Sequence, residues 1–315
     1  MRQQVDLTID VDEPIAEPAG RQLQFVTRIH PDSPPLQAML VGEPDERLLV
    51  YFPGFNTPLG PWEAAKCRML AESFGQPVLL VEIPGMSNFG DPIPSRVRKT
   101  MQRGEVQAWA DLMVDYQLAA LESLGRPLPA VVDVLGYSTG CSLGVAALRH
   151  WQQRSDVRSV TLVEPVSTMT RTLLKLELHN MADALRQPAS YATNHGHDWV
   201  MRARRRQIRE PWVRYGPPDL VAIAQVLARP HLPGELPLDG SLAVNLVRGE
   251  RSDLCHRVPF QALHEAAPEC GVTVDVLGFG HPLWHSFPVL QKLVPLLADG
   301  AQQGGGSVIE PSEPR

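Results

Sequence analysis

The sequence predicts a doubly wound, mostly parallel α/β sheet interrupted by a helical insertion, and three observations carry that expectation. Short apolar runs rich in β-branched residues alternate with longer stretches of helical period. The alternation breaks once, from about residue 166 to 239, where polar helical patterns follow one another without a convincing strand. At residues 131 to 148, "VVDVLGYSTGCSLGVAAL" places one serine between two glycines where an apolar run gives way to helix-forming residues.

Along the chain, "RQLQFVTRI" and "QAMLVG" come first and suit an antiparallel hairpin at a sheet edge. The runs that follow are "RLLVYF" (47–52), "PVLLVEI" (77–83), "AVVDVL" (130–135), "SVTLVE" (159–164), "SLAVNLV" (241–247) and "GVTVDVL" (271–277). Most are apolar on both faces, as strands buried in a parallel sheet are. Helical patterns near 61–74, 105–124, 139–152, 256–267 and 286–298 lie between them, so right-handed crossovers would cover both faces. The insertion reads as three helical stretches, "STMTRTLLKLELHNMADALRQ", "DWVMRARRRQIREPWVRY" and "PPDLVAIAQVLARP". The ending "DGAQQGGGSVIEPSEPR" is rich in Gly, Ser, Pro and Glu and buries little apolar surface, which predicts disorder.

A chain of 315 residues, 43% hydrophobic and 20% charged, is long enough for a sizeable core in one large domain, or one domain plus an insertion. Its net charge of −6 offers no overall attraction to nucleic acid or an anionic membrane surface. The opening lacks a basic start followed by an apolar run, and nowhere do eighteen apolar residues run together, so a cytoplasmic protein without a membrane span is expected. Cys67, Cys141, Cys255 and Cys270 form no CxxC pair and sit among core-type neighbours, which favours buried thiols over disulfides or a metal site.

The serine is Ser138, in "GYSTG" at 136 to 140, which fits G-x-S-x-G with a strand before it and a helix after it. A sharp turn there needs glycine at 136 and 140 for close backbone approach, and it exposes the hydroxyl of a strained Ser138. The helix starting at Thr139 adds backbone N–H groups and a positive dipole end, suited to an oxyanion. A serine hydroxyl needs a base, and the base needs an orienting group. "VDVLGFGHPLWHSFP" delivers His281 on a glycine-flanked loop after a strand run, and it is the base expected; His285, at the start of the last helix, suits capping or packing. Asp253, in "LAVNLVRGERSDLC", is the acid expected, with Glu250 in the same loop and Glu164 at the end of "SVTLVE" as rivals.

These residues give the chain a resemblance to the α/β-hydrolase superfamily across nearly all of residues 20 to 300. "YFPGFN" at 51 to 56 resembles that family's loop after its third strand, which implies an oxyanion hole built from the Phe55 and Thr139 N–H groups. "VEIPGMSNFG" resembles the family's Asp-x-x-Gly-x-Gly-x-Ser loop. The insertion falls where many members carry a helical cap. The implied organisation is a core of residues 1–165 and 240–300, a cap over 166–239, and a disordered tail over 301–315. The implied activity is hydrolysis of a carboxylic ester or thioester of a small-molecule acyl substrate, with no cofactor and no metal. Relatives that cleave C–C bonds keep the same three residue types, and a non-catalytic binding protein on this fold is the reading from another class.

Two further stretches hold clustered charged or ligating residues. Arg202, Arg205, Arg206 and Arg209 of "RARRRQIREPWVR" share one side of a helix, which suits a solvated face; the sharper reading is an anion site above Ser138. "NHGHD" at 194 to 198 lacks the spacing a zinc site needs.

Overall fold

The chain begins in an extended edge segment and then builds its sheet strand by strand, in a computed structural model that describes residues 3–43, 45–236, 242–267 and 270–303. Strands β1 (Gln3–Leu7), β2 (Gln22–Thr27), β3 (Leu36–Val41) and β4 (Arg47–Phe52) come first. Next are α1 (Pro61–Phe74), β5 (Val78–Val81), α2 (Ser95–Gln102), α3 (Gln107–Ser123), β6 (Val131–Tyr137), α4 (Thr139–Gln152) and β7 (Asp156–Val163). Four helices follow: α5 (Leu173–Ala192), α6 (Asp198–Gln207), α7 (Pro217–Leu227) and α8 (Leu232–Glu235). The chain then returns through β8 (Ala243–Gly249), α9 (Arg257–Ala266), β9 (Val272–Val276), a 3₁₀ turn over His281–His285, and α10 (Phe287–Gln302).

Among the described residues the strands form one nine-stranded sheet in the order β1-β9-β8-β7-β6-β4-β5-β3-β2. Only the pairs β2–β3 and β3–β5 are antiparallel. Alternate residues of each central strand face opposite layers, as pleating requires. Val50 and Phe52 of β4 pack with Trp109 and Met113 of α3 and Leu143 of α4, whereas Leu49 and Tyr51 pack with Leu70 of α1 and Leu290 of α10. The edge hairpin β2–β3 forms as read. β1 was not anticipated: its "QQVDL" is polar and largely exposed, and it is held by parallel pairing of Gln3–Leu7 with Val272–Val276 at an otherwise open edge.

The order of the strands creates the site. β4 lies between β5 and β6, so the chain reverses its direction of travel across the sheet there. Such a reversal leaves a crevice at the carboxyl ends of the strands. The segment between β7 and β8 is helical and crosses this same end. It is tied down by side chains: Asp219 of α7 accepts from Ile93 N at 3.1 Å and from Arg98 of α2 at 3.1 Å. Asn194 Nδ2 donates to His285 O at 2.9 Å, and its Oδ1 accepts from Phe287 N at 2.8 Å. Thr172 caps α5 and Ser286 caps α10 through hydroxyl acceptors, the role these residues play at helix starts.

The disordered tail expected from residue 301 is corrected in part. α10 continues through Gln302 with Gly300 and Ala301 buried, because small residues let it lie against the β8 and β9 layer; residues 304–315 lie outside the described residues. Cys67, Cys141 and Cys255 are buried free thiols, and Cys270 is partly exposed.

Candidate active site

Ser138 sits at the turn between β6 and α4, and that turn exists because its neighbours have no side chains. A Cβ on Gly140 would lie 2.0 Å from Phe52 O, and one on Gly136 would lie 2.6 Å from Gly140 O. With strand, helix and β4 this close, Ser138 takes φ 54° and ψ −116°. A non-glycine residue at positive φ is strained and persists only where surrounding structure imposes it. Among the described residues just three do so, Asn56, Ser138 and Glu164, and all three lie at this end of the sheet.

His281 opens the 3₁₀ turn after β9 and is largely buried. Its Nε2 lies 2.8 Å from Ser138 Oγ. Its Nδ1 lies 2.8 Å from Glu164 Oε2. A carboxylate facing Nδ1 keeps the ring hydrogen on that atom and leaves the Nε2 lone pair to accept from the serine hydroxyl. Glu164, directly after β7, is fully buried. Its Oε1 accepts from Gly249 N and its Oε2 from Ser252 Oγ at 2.6 Å, so each carboxylate oxygen has a donor besides the imidazole's contact. Tyr137 stacks on the His281 ring with centroids 5.7 Å apart, and its hydroxyl donates to His281 O at 3.2 Å. Burial pushes the Tyr137 hydroxyl well above the usual tyrosine range, so it remains a donor.

The expectation for the acid is therefore corrected: Glu164, not Asp253, faces the imidazole. Asp253 turns outward, where its carboxylate takes Arg186 Nη1 at 2.5 Å. Its own backbone N–H, like that of Leu254, donates to Asp183 Oδ2, at 3.0 and 2.9 Å. Glu250 is exposed and accepts from Gly278 N. The loop after β8 thus supplies donors to the Glu164 carboxylate, through Gly249 and Ser252, while the carboxylate itself follows β7. One sequence signal pointed there: Glu164 ends the strand run next after the nucleophile's own.

Phe55 and Thr139 both border the site with Ser138. Thr139 is the first residue of α4, where backbone N–H groups have no intrahelical acceptor. His285 packs in the cavity wall rather than on Ser138: it stacks on Tyr191 with centroids 5.1 Å apart, and its Nδ1 lies 3.4 Å from Lys66 Nζ. Burial, together with the charges of Lys66, His281 and Arg204, holds its pKa well below the usual histidine value.

Ser138 and His281 open onto a cavity of about 640 Å³ whose far wall comes from α5, α6 and the segment after α6. Of the arginines singled out above, Arg202 pairs with Glu17 at 3.2 Å, and Arg205, Arg206 and Arg209 are exposed, so they form a solvated face. The arginine that turns inward is Arg204, which lines the cavity with its guanidinium 4.2 Å from the centre of the Tyr191 ring. Among the described residues no three His, Cys, Asp or Glu side chains converge as a metal site, and no helix is long and apolar enough to cross a membrane.

No family model matches the chain, and no curated protein matches it. Solved structures do. An α/β hydrolase fold protein from Chitinophaga pinensis aligns over 87% of this chain and 95% of its own with TM-score 0.57 at 13% identity. An esterase from Exiguobacterium antarcticum aligns over 89% of this chain and 100% of its own with TM-score 0.56 at 12% identity. A thermophilic esterase from Thermogutta terrifontis aligns over 89% and 99% with TM-score 0.52 at 17% identity. At such identities the likeness is one of fold. The chain has the α/β-hydrolase fold, a mostly parallel sheet flanked by helices.

Proposed function

We propose that the protein is a serine hydrolase that cleaves a carboxylic ester or thioester through an acyl-enzyme on Ser138, with His281 as base, Glu164 as its orienting acid and the helical insertion as a cap. The observation that carries this reading is the unbroken hydrogen-bonded line from Ser138 Oγ through His281 to Glu164, facing a cavity large enough for a substrate. The Ser138 oxygen adds to the acyl carbon as its proton passes to His281 Nε2. Negative charge then grows on the carbonyl oxygen, where the N–H groups of Phe55 and Thr139 are proposed to receive it. Collapse breaks the bond to the leaving oxygen or sulfur, which takes the proton from His281. Water then repeats the sequence on the acyl-enzyme and releases the acid. Glu164 stabilises the imidazolium as it forms.

The test is a panel of p-nitrophenyl esters and acyl thioesters assayed with wild type and Ser138→Ala, alongside labelling by a fluorophosphonate. Wild type is expected to turn over esters and to be labelled at Ser138, and Ser138→Ala to lose about 10⁴-fold or more in turnover while folding normally. A folded wild type that neither reacts with the probe nor hydrolyses any ester would make the protein a binding scaffold.

A further inference from the structure

Two compartments meet at Ser138, and they differ in chemistry. The larger is lined by His281 and by the polar side chains Glu63, Asn180, Tyr191 and Arg204. The smaller, about 80 Å³, shares Asn180 with the larger and has Glu177 at its edge, but is otherwise lined by Thr139 and by apolar residues such as Val166, Leu176, Ile223 and Leu254, without His281. In the acyl transfer proposed above, on which this inference rests, His281 hands its proton to the leaving oxygen. The leaving group therefore occupies the compartment that His281 faces, and the acyl chain occupies the other. A cavity of that size is about half the ~150 Å³ that accommodates benzene, so it takes only a short acyl chain.

The larger compartment carries a polar group with an unmet requirement. Glu63, on α1, is 3% exposed and borders the cavity. Its Oε1 holds Lys66 Nζ at 2.7 Å, while its Oε2 has no hydrogen-bond partner. A buried carboxylate oxygen without a donor is costly, and a ligand that supplies one is favoured by that amount. A second cation suits the place poorly, because the Lys66 ammonium already neutralises Glu63 and the Arg204 guanidinium sits over the adjoining Tyr191 ring. A neutral donor fits. Trp62, beside Glu63 and also bordering the cavity, has an indole N–H without an acceptor.

We infer that the larger compartment binds the alcohol half of the substrate and that Glu63 Oε2 accepts a hydrogen bond from a hydroxyl on that half, so that the substrates are short-chain acyl esters of hydroxylated alcohols.

The experiment compares kcat/KM for the monoacetates of a series of α,ω-diols with the n-alkyl acetates of matching length, in wild type, Glu63→Gln and the pair Glu63→Leu/Lys66→Met, which strands no charge. Wild type is expected to prefer the diol monoacetate by about tenfold or more at the length that spans Ser138 to Glu63, the discrimination that a hydrogen bond to a charged group supplies. Glu63→Gln shrinks the preference, and the double variant brings it close to one. A parallel arm pairs ethyl esters of ω-hydroxy acids with ethyl alkanoates, where no preference for the hydroxyl is expected and activity falls as the acyl chain lengthens. Wild type that cleaves acetates with a ratio near one at every length overturns the assignment, even if neither variant folds. A preference for the hydroxyl on the acyl half instead overturns the division of the cavity. Wild type labelled at Ser138 that turns over no ester of either series overturns the inference and leaves the hydrolase reading standing, whereas folded wild type that is neither labelled nor active overturns that reading.

Discussion

The strand ends that present Ser138, Glu164 and His281 and the helices that roof them are held in contrasting ways. Ser138 and Glu164 lie on turns at positive φ, directly after buried parallel strands, with Ser138 N bonded to Val163 O and Glu164 N to Val247 O, at 2.9 and 2.8 Å. The three residues are at most 8% exposed. The roof has no strand of its own: single backbone contacts such as Arg214 N to Ser87 O at 2.8 Å, side-chain hydrogen bonds and buried residues such as Ile223 and Val226 attach it, and α5 leaves Leu174 71% and Leu185 83% exposed. A constellation on continuous strand pairing keeps its geometry when a surface side chain changes, whereas a wall with fewer, scattered attachments moves more readily when one is lost. On the proposed function, the difference puts the chemistry on the sheet and the shape of the substrate with the insertion.

Substitution of the acid tests the first half of that contrast most severely. Glu164→Gln is expected to lower kcat by about 10³- to 10⁴-fold, since an amide in place of the carboxylate no longer fixes the imidazole tautomer or stabilises its charged form. Asp253→Asn, which disturbs only a pair with the half-exposed Arg186, is expected to change kcat by a few-fold at most. Steady-state kinetics on one ester settles the ranking, and equal losses would place Asp253 back in the site.

A pH effect on stability belongs to the sheet side as well. Glu82, just after β5, is fully buried, and burial raises its carboxyl from 4.5 to about 7, although Gln37 N and Asn88 N both donate to it. The folded chain therefore keeps this proton across a window in which the unfolded chain has lost it. Stability is accordingly lost as pH rises from about 4.5 to about 7, by about 3 kcal/mol in total. His285 acts with the opposite sign, because its depressed pKa costs stability as pH falls below the usual histidine value. Urea melts at pH 5 and pH 8 separate the two. Wild type is expected to lose more stability than Glu82→Gln over that interval, and parallel pH dependences would remove Glu82 from the account.

The smaller effect concerns the roof. Asp183 is 2% exposed and receives the N–H groups of Asp253 and Leu254. Asp183→Ala leaves those donors without their acceptor and is expected to cost about 2 kcal/mol of stability. It should raise KM more than it lowers kcat. A variant with unchanged KM and lowered kcat would show that the roof also positions the reacting groups.

Much of the architecture was legible because it follows from local chemistry. Doubly apolar runs can only be buried strands, helical periods between them can only be crossovers, and G-x-S-x-G between a strand and a helix specifies a turn that no bulkier residues would permit. The ranges 61–74 and 139–152 read as helices coincide with α1 and α4. β1 was hidden because an exposed edge strand has no apolar pattern of its own and depends on β9 to define it. The choice among Asp253, Glu250 and Glu164 was hidden for a related reason. All three follow strand runs, and chain spacing does not report which carboxylate points at an imidazole 117 residues from Glu164.

Strand positions and the placement of Ser138 and His281 at strand ends were thus written in short stretches of chain, where backbone geometry and hydrophobic period act over a few residues. Which carboxylate meets His281, which arginine of the basic stretch turns inward, and which side chains line the cavity were settled only by packing. Glu164 reaches the imidazole because β7 lies beside β6 and the loop after β8 turns its donors, rather than its own carboxylate, toward that point. Arg204 rather than Arg205 lines the cavity because α6 rests on α1 and presents one side inward. Such choices depend on contacts between residues far apart in the chain, and those distances exist only once the sheet and its helices have come together.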